Sequence, residues 1–188
     1  VFYVNGVLKV LHRNRVHIDH LFGLSASSAI LFAHIFGCHD FCLRIFGQRL
    51  KANTKNFHPF SKCKFPHDHI YQSSIEQMFK RYYKKRDRRV AYTIIASQTD
   101  SAHKCLKGTL ATLAMEFDAL GANTIPFVNS MFNISPFVID SSKDKNLSQK
   151  DLINIIMGSS TIYPFISLHF LHGKLILEGR LADKDPCE

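Results

Sequence analysis

The sequence predicts an α/β fold, with a largely parallel central sheet flanked by helices. Three observations support this class: a length of 188 residues, an apolar content of 46%, and segments of helical and strand periodicity that alternate along the chain. A chain of this length is enough for one domain with a substantial core and too short for two comfortable ones. Alternation of helix and strand is typical of folds in which helices cover a parallel sheet.

The first elements of the chain are predicted as helix, strand, tight turn and helix. Residues 2–13 carry apolar side chains at the spacing of one helical face, and residues 17–22 are typical of a short buried strand. Small residues fill the turn at 23–27, after which a second helical stripe runs to Gly37, a residue that favours helix ends. The turn therefore joins a strand to a helix, and it carries Ser25 at its centre.

The rest of the chain continues the alternation after one interruption. Residues 47–69 hold two prolines and several small polar residues, which predicts a surface insertion or loop. Ser148 and Asp151 stand at capping-box spacing before a helical pattern. The further predicted elements are a helix over 70–85, a strand over 90–97, a helix over 102–120, strands over 124–130 and 134–141 near a sheet edge, a helix over 149–157 and a strand over 173–179.

Ser25 has two interpretations at this turn. A serine just before a helix is frequently its N-cap, where the hydroxyl accepts a hydrogen bond from the first turn. A serine at a sharp strand-to-helix turn is also the geometry of a nucleophile, because the turn lifts its hydroxyl above the sheet edge and small neighbours let the backbone pass closely. The second interpretation needs an activating base elsewhere in the chain.

Two stretches stand out when they are taken as an ordered pair. The first is NGVLKVLHRNRVHIDHLFGLSASSAILFAHIFG, in which a GVLK-type helix leads to a strand and a G-x-S-x-S turn. The second is IMGSSTIYPFISLHFLHGKLILEGRLADKDP, in which a small-residue segment precedes a strand that ends in Glu-Gly-Arg. In this order and at this separation, they resemble the two signature regions of the patatin-like phospholipase family. The resemblance covers about residues 1–37 and 154–186, while the middle of the chain matches only in its alternation of strands and helices.

The resemblance implies a phospholipase A-like lipid acyl hydrolase with a serine–carboxylate dyad and no catalytic histidine. On the matching positions, Ser25 is the nucleophile and Glu178 is the base. Gly23, Ala26 and Ser27 form the elbow, and the Ala26 N–H at the helix N-terminus is expected to donate to the oxyanion. The implied substrate is a phospholipid or another lipid ester, and no metal or organic cofactor is implied.

Two positions depart from the family pattern. The family has Asp-Gly-Gly or Asp-Gly-Ala where this chain has Glu178, Gly179 and Arg180. Glutamate keeps the carboxylate but adds a methylene, so a Glu178→Asp change is expected to hold or raise the rate. The Arg180 cation is expected to lower the pKa of Glu178 and to weaken it as a base. The alternative function is a catalytically impaired patatin-like protein that acts as a basic membrane- or partner-binding module.

A net charge of +9 predicts an anionic partner, and the positive charge is concentrated in KRYYKKRDRR at residues 80–89. This run is interpreted either as a solvated helix end or as a patch for anionic lipid headgroups, where its tyrosines suit the depth of the membrane interface. Nucleic acid ranks below these partners because no recognised nucleic-acid motif accompanies the run. The anion-binding residues of this hypothesis are Lys80, Arg81, Lys84, Lys85, Arg86, Arg88 and Arg89.

Histidines and cysteines are the remaining candidates for chemistry. His17, His20 and His34 flank the elbow and are interpreted as packing residues, because the resembled mechanism uses none of them. A zinc site is weighed as well, but the ligand spacings are irregular beside the common zinc patterns, so no metal is predicted. The residues weighed for zinc are Cys38, His39, Cys42, Cys63, His67 and His69.

The cysteines and the ends of the chain bear on location and extent. Five cysteines in a chain with an ample core favour reduced thiols, and hence a cytoplasmic or peripheral-membrane location. Secretion stays open because the sequence begins with Val1 rather than Met. The family has a glycine-rich oxyanion loop ahead of its first helix and continues beyond its last strand. We therefore expect residues 1–188 to form one patatin-like domain that is truncated at both ends.

Overall fold

Helical and extended segments alternate along the chain and form a mixed α/β fold. The computed structural model describes residues 2–57, 65–85, 89–143 and 146–182. In chain order the elements are α1 (Phe2–Arg13), β1 (His20–Leu24), α2 (Ser27–Ile35), α3 (His39–Ala52), α4 (Pro66–Tyr82), β2 (Ala91–Thr99), α5 (Lys104–Ala119), α6 (Ile125–Phe132), β3 (Ser135–Asp140), α7 (Gln149–Ser159), β4 (His169–Leu171) and β5 (Lys174–Leu177). None of the helices in these residues has the length and apolar character needed to cross a membrane.

The five strands form one sheet around β2. β1 lies parallel to β2 and ends with Leu24 opposite Ile95, while β5 lies antiparallel to β2 and ends with Leu177 opposite Ser97. β3 pairs antiparallel with β2 over residues that also pair with β1 and with β5, so β3 must occupy the other edge of β2. β1 and β5 therefore share one edge of β2, and they run toward each other.

The prediction of a largely parallel sheet is wrong, because β1 and β2 are the one parallel pair among the described strands. β4 and β5 form a hairpin whose turn residues His172 and Gly173 have φ of 47° and 80°, and a two-residue turn of this type makes its strands antiparallel. The chain leaves β2 at Thr99 and rejoins the sheet at Ser135, which pairs with Gln98. The α5–α6 pair therefore returns the chain to the end of β2 that it left, and β3 runs back along β2.

Helices cover both faces of the sheet. Alternate side chains of β5 point to opposite faces, as the two-residue period of a strand requires. Ile176 packs in the core formed with α2, α3, α4 and α7, whereas Leu175 and Leu177 pack in the core formed with α5 and α6. The first core contains fully buried aromatic side chains such as Phe32 and Phe79. The sheet is thus held between two apolar layers, and the candidate site lies where β1 and β5 end.

Most of the predicted elements are confirmed, including the capping box of Ser148 and Asp151 at the start of α7. The strand predicted over 124–130 is wrong: this segment is helix α6, and its proline lies in the first turn, where a missing N–H costs nothing. The loop predicted over 47–69 is shorter than expected, because α3 continues to Ala52 and α4 begins at Pro66. Residues 58–64 of that loop lie outside the described residues.

Candidate active site

The ends of β1 and β5 bring Ser25 and Glu178 together. Each residue directly follows its strand, and the two strands approach each other along the same edge of β2, with Leu24 opposite Ile95 and Leu177 opposite Ser97. The Ser25 hydroxyl donates a hydrogen bond of 3.0 Å from Oγ to Glu178 Oε2. The sheet register therefore joins two residues that lie 153 positions apart in the chain.

Ser25 lies in a strained turn with a φ of 55°, a conformation that L-residues other than glycine rarely adopt. The predicted elbow residues hold this turn. Ser27 Oγ accepts a hydrogen bond of 2.8 Å from Leu24 N and donates one of 2.6 Å to Leu24 O. A Cβ atom at Gly23 would lie 2.8 Å from the Cα of Ser28, so only glycine lets the strand pass this close to the helix. Ser25 is thus not the N-cap, because Ala26 occupies that position without a side-chain cap.

Glu178 is buried, with 1% of its surface exposed. Burial raises the pKa of its carboxyl above the ordinary value, and the hydrogen bond from Ser25 and the Arg180 charge lower that pKa only in part. Arg180 Nε lies 3.8 Å from Glu178 Oε1, and the Arg180 side chain is 43% exposed, so solvent screens its charge. Arg180 lowers the pKa of Glu178 as expected, but burial outweighs this effect and the net shift is upward. A raised pKa makes the ionised carboxylate a stronger base.

The N-terminus of α2 faces the same place. The helix begins at Ser27 with Ala26 as its N-cap, so the amides of Ala26 and Ser27 belong to the turn in which N–H groups have no partner within the helix. The aligned peptide dipoles also give this end of the helix a partial positive charge. An oxyanion that forms next to Ser25 Oγ would therefore meet backbone donors and a favourable helix dipole.

A cavity of about 260 Å³ opens beside Ser25 and Ala26. Its walls come from the start of α1, from α3, from the start of α4 and from the segment after α7, and they are mostly apolar. The lining residues besides the elbow are Phe2, Phe46, Leu50, His67, Ile70, Tyr71, Ser160, Ile162 and Ile166. An apolar cavity of this volume next to a serine hydroxyl suits a hydrocarbon chain better than a polar group.

Tyr71 and Ser160 are polar members of this wall that the sequence pattern did not indicate. The Tyr71 hydroxyl and Ser160 Oγ are 3.0 Å apart, and Ser160 Oγ also donates to the carbonyl of Ile156. Burial raises the pKa of Tyr71, so its hydroxyl stays protonated and able to donate. The signal for Tyr71 was masked, because its position on α4 fits the apolar stripe of the helix.

The basic run of residues 80–89 does not lie at this cavity. Lys80, Arg81 and Lys84 are exposed at the end of α4, whereas the cavity contacts its start; ten residues of helix separate Tyr71 from Arg81, about 15 Å. Arg81 lies over the Phe41 ring, and Tyr82 and Tyr83 are half-buried against the core. Arg89 is exposed, whereas Arg86, Arg88 and the side chain of Lys85 lie outside the described part of the structure.

Among the histidines and cysteines weighed in the sequence, His34 and His39 lie together, with ring centroids 5.3 Å apart. Cys38 and Cys42 are buried, and burial raises the pKa of each thiol to about 12, so both stay protonated. His67 and His69 are exposed on α4, and Cys63 lies outside the described residues. The flanking histidines do not contact Ser25: His17 pairs with Asp19, His20 hydrogen-bonds Thr93, and His34 packs against His12 and His39.

Comparisons with known proteins give no relative for this chain: no family model matches it, and neither do the curated proteins or the solved structures searched.

Proposed function

We propose that this chain is a patatin-like lipid acyl hydrolase in which Ser25 is the nucleophile and Glu178 is the general base. The observation that carries the proposal is the 3.0 Å hydrogen bond from Ser25 Oγ to the buried Glu178 carboxylate. A serine hydroxyl is a weak nucleophile until an adjacent base takes its proton, and the Glu178 carboxylate, which accepts a hydrogen bond from Ser25 Oγ, supports this role. The strained φ of Ser25 and the helix that follows it support the same assignment.

In the proposed reaction, Ser25 Oγ forms a bond to the ester carbonyl carbon as its proton passes to Glu178 Oε2. The carbonyl oxygen becomes an oxyanion, which the backbone N–H groups at the start of α2 stabilise. The tetrahedral intermediate then collapses, and the leaving alcohol takes the proton from Glu178. Water, deprotonated by Glu178 in turn, attacks the acyl–serine ester and releases the fatty acid. Both half-reactions use the same carboxylate, and the enzyme returns to its starting state.

The substrate class follows from the wall of the cavity. Phe46, Ile162 and Ile166 present apolar surface next to the nucleophile, in a volume of about 260 Å³ that accepts part of an acyl chain. Phe2 and Leu50 line the same cavity and are partly exposed, which extends the apolar surface toward solvent. We therefore assign a phospholipid or another lipid ester as the substrate, with its acyl chain in this cavity.

The patatin-like assignment of the fold belongs to this proposal. Its support is the order of a GVLK helix, a strand, a serine elbow and a second helix, followed much later by a strand that delivers the acid. The antiparallel pairing of β2 with β3 and of β2 with β5 sets this chain apart from a largely parallel sheet. The assignment consequently depends on the dyad and the elbow rather than on the sheet.

The experiment that tests this function uses a fluorophosphonate probe and a fluorogenic phospholipid on the full chain. We expect labelling of the wild type, complete loss of labelling in Ser25→Ala, and a fall in hydrolysis of about 10³-fold or more. Ser142→Ala is the matched control, because Ser142 lies on the surface and its hydroxyl donates to the Asp140 carboxylate in its own turn. Labelling that survives Ser25→Ala, or a folded wild type that is never labelled, would refute the proposal.

The second candidate function is a catalytically impaired module that binds anionic membranes or a partner. The specific observation in its favour is the Arg180 contact with the Glu178 carboxylate, since an ion pair competes with proton acceptance. A folded wild type that binds anionic vesicles, does not react with the fluorophosphonate and hydrolyses no ester would favour this candidate.

A further inference from the structure

His12, His34 and His39 form a cluster where three helices meet, away from the serine site. His12 lies in the last turn of α1, His34 lies in the last turn of α2, and His39 is the first residue of α3. The ring centroids are 5.6 Å apart for His12 and His34, 5.7 Å for His12 and His39, and 5.3 Å for His34 and His39. The three imidazoles therefore stand at the corners of a nearly equilateral triangle.

This triangle has the size that one shared metal ion imposes on three imidazoles. With Zn–N bonds of about 2.1 Å and tetrahedral angles, ring centroids lie about 5 Å apart, close to the observed spacing. One ring nitrogen of each histidine already lies within 4.8 Å of one from each of the others. Small side-chain movements would bring all three nitrogens to one ion.

Asn5 holds His39 in the tautomer that a metal ligand needs. Asn5 Nδ2 donates to the His39 carbonyl at 3.2 Å, which leaves Asn5 Oδ1, 2.7 Å from His39 Nδ1, as an acceptor. His39 Nδ1 must therefore carry the hydrogen, and Nε2 keeps its lone pair. This partnership is the one that orients metal-bound histidines in known sites. His39 is 4% exposed, and its Nε2 is buried with no hydrogen-bond partner, a rare and costly state for a polar atom.

The surroundings of the cluster are mixed in charge: Lys9, Arg13 and Arg44 line the adjoining cavity and disfavour a cation, whereas two helix ends favour one. The carboxyl ends of α1 and α2 both point to it, and their helix dipoles favour positive charge, whereas the amino end of α3 opposes this in part. The nearby carboxylate of Asp40 is paired with Lys9 and Arg13, so it does not compete as a ligand. Imidazole without carboxylate favours Zn²⁺ and its neighbours in the transition series over Mg²⁺ or Ca²⁺.

We propose that His12, His34 and His39 bind a divalent transition-metal ion, with Zn²⁺ the best-matched ion. Three protein ligands leave a fourth position for water, and a cavity of about 230 Å³ lined by His12 and His39 among others lies beside the cluster. The exposed side chain of His12 gives the ion a path from solvent. The bound ion ties α1, α2 and α3 together, and this role is independent of the proposed hydrolase activity.

The test is titration of the chelator-treated full chain with Co²⁺ and Zn²⁺, followed by the visible spectrum of Co²⁺ and by competition with a zinc indicator. We expect one equivalent to bind the wild type with a tetrahedral Co²⁺ spectrum that has no thiolate charge-transfer band. His12→Ala should weaken binding by about 100-fold or more, since loss of a ligand exceeds the effect of losing its outer partner. His17→Ala, another exposed histidine, is the matched control and should bind as the wild type does.

Thermal unfolding with and without Zn²⁺ gives a second readout that does not depend on spectra. The melting temperature of the wild type should rise with Zn²⁺, whereas that of His12→Ala should not, because a ligand stabilises only the state that binds it. Absence of binding by the wild type, equal binding by His12→Ala, or a thiolate band from the neighbouring Cys38 would each overturn the assignment. Replacement of the exposed His12 keeps the buried Asn5–His39 pair intact, so the variant is expected to fold.

Discussion

Helix α2 presents a different chemistry at each of its two ends. Its amino end follows Ser25, whose hydroxyl donates to the buried Glu178 carboxylate, and its carboxyl end carries His34 within a cluster of imidazoles. The helix dipole is suited to both, because it favours an oxyanion at the amino end and a cation at the carboxyl end. Nine residues separate the two ends, about 13 Å along the helix axis.

The two ends also differ in what assembles them. The serine site depends on the register of three strands, since β1 and β5 must approach along one edge of β2 and end opposite the same short segment of it. The histidine cluster depends on helix packing, with Gly37 at a φ of 61° turning the chain from α2 into α3. At both ends a buried group favours its neutral form: burial raises the pKa of Glu178 and lowers the pKa of His39 to about 4. The comparison predicts that each end can be disabled without the other.

The largest effect is expected at the amino end, from replacement of Glu178, the proposed base. Glu178→Gln removes the proton acceptor and should lower kcat/KM for a fluorogenic phospholipid by about 10²–10⁴-fold. Glu178→Asp should also lose about 10²-fold, because the carboxylate would retreat by more than an ångström from its 3.0 Å contact with Ser25. The backbone cannot move toward Ser25 to compensate, because it already packs tightly against β2: a Cβ atom at Gly179 would lie 2.5 Å from the carbonyl oxygen of Ile95.

This expectation reverses the one from sequence, in which aspartate was the better base. Steady-state kinetics on Glu178→Gln and Glu178→Asp decide between the two expectations. Glu76→Gln and Glu76→Asp, at an exposed position, are the controls. If Glu178→Asp equals or exceeds the wild type, the glutamate geometry described here is not the productive one. Zn²⁺ binding by all of these variants should match the wild type if the two ends are independent.

A smaller effect is expected at the carboxyl end, on stability rather than on rate. Asn5→Ala removes a fully buried side chain and leaves both the ring and the carbonyl of His39 without these hydrogen bonds. The free energy of unfolding should fall by about 2–4 kcal/mol, since each unpaired buried group costs about 1–3 kcal/mol. Denaturant unfolding measures this change. Asn14→Ala, at an exposed position just after the same helix, should cost less than about 1 kcal/mol. Equal losses in the two variants would show that the buried pair contributes little.

The two residues of the serine site could be predicted from sequence in different ways. A small-residue turn between a strand and a helix marks Ser25 locally, whereas Glu178 is predicted only through the resemblance of the second stretch to the patatin-like family. The sheet direction could not be predicted, since the position of β3 depends on how α5 and α6 return the chain. Pro126 fitted an edge strand and a first helical turn equally well, and the helix is the one that forms.

The histidine cluster gave no usable signal in the sequence. His12, His34 and His39 follow none of the spacings that mark zinc sites, and each fits a helix end or a core position on its own. Their contact arises only when α1, α2 and α3 pack together. Local periodicity in a single sequence does not show which helices pack together, so it does not predict long-range contacts of this kind.

The smallest expected effect is a pH dependence of stability that Glu178 produces. Because burial raises its pKa in the folded state, the folded chain binds its proton more tightly than the unfolded chain does. Its contribution is fully present below the ordinary carboxyl pKa and is lost as the pH rises through the raised, folded-state pKa.

Glu178→Gln should remove this decline, so denaturant unfolding from pH 4 to pH 8 should show the variant gaining stability relative to the wild type as the pH rises. Glu76→Gln is the control at an exposed site. If the difference in the free energy of unfolding between Glu178→Gln and the wild type does not change with pH, the burial argument is contradicted. Hydrolysis needs the ionised carboxylate, so activity should rise across the same range in which this contribution to stability falls.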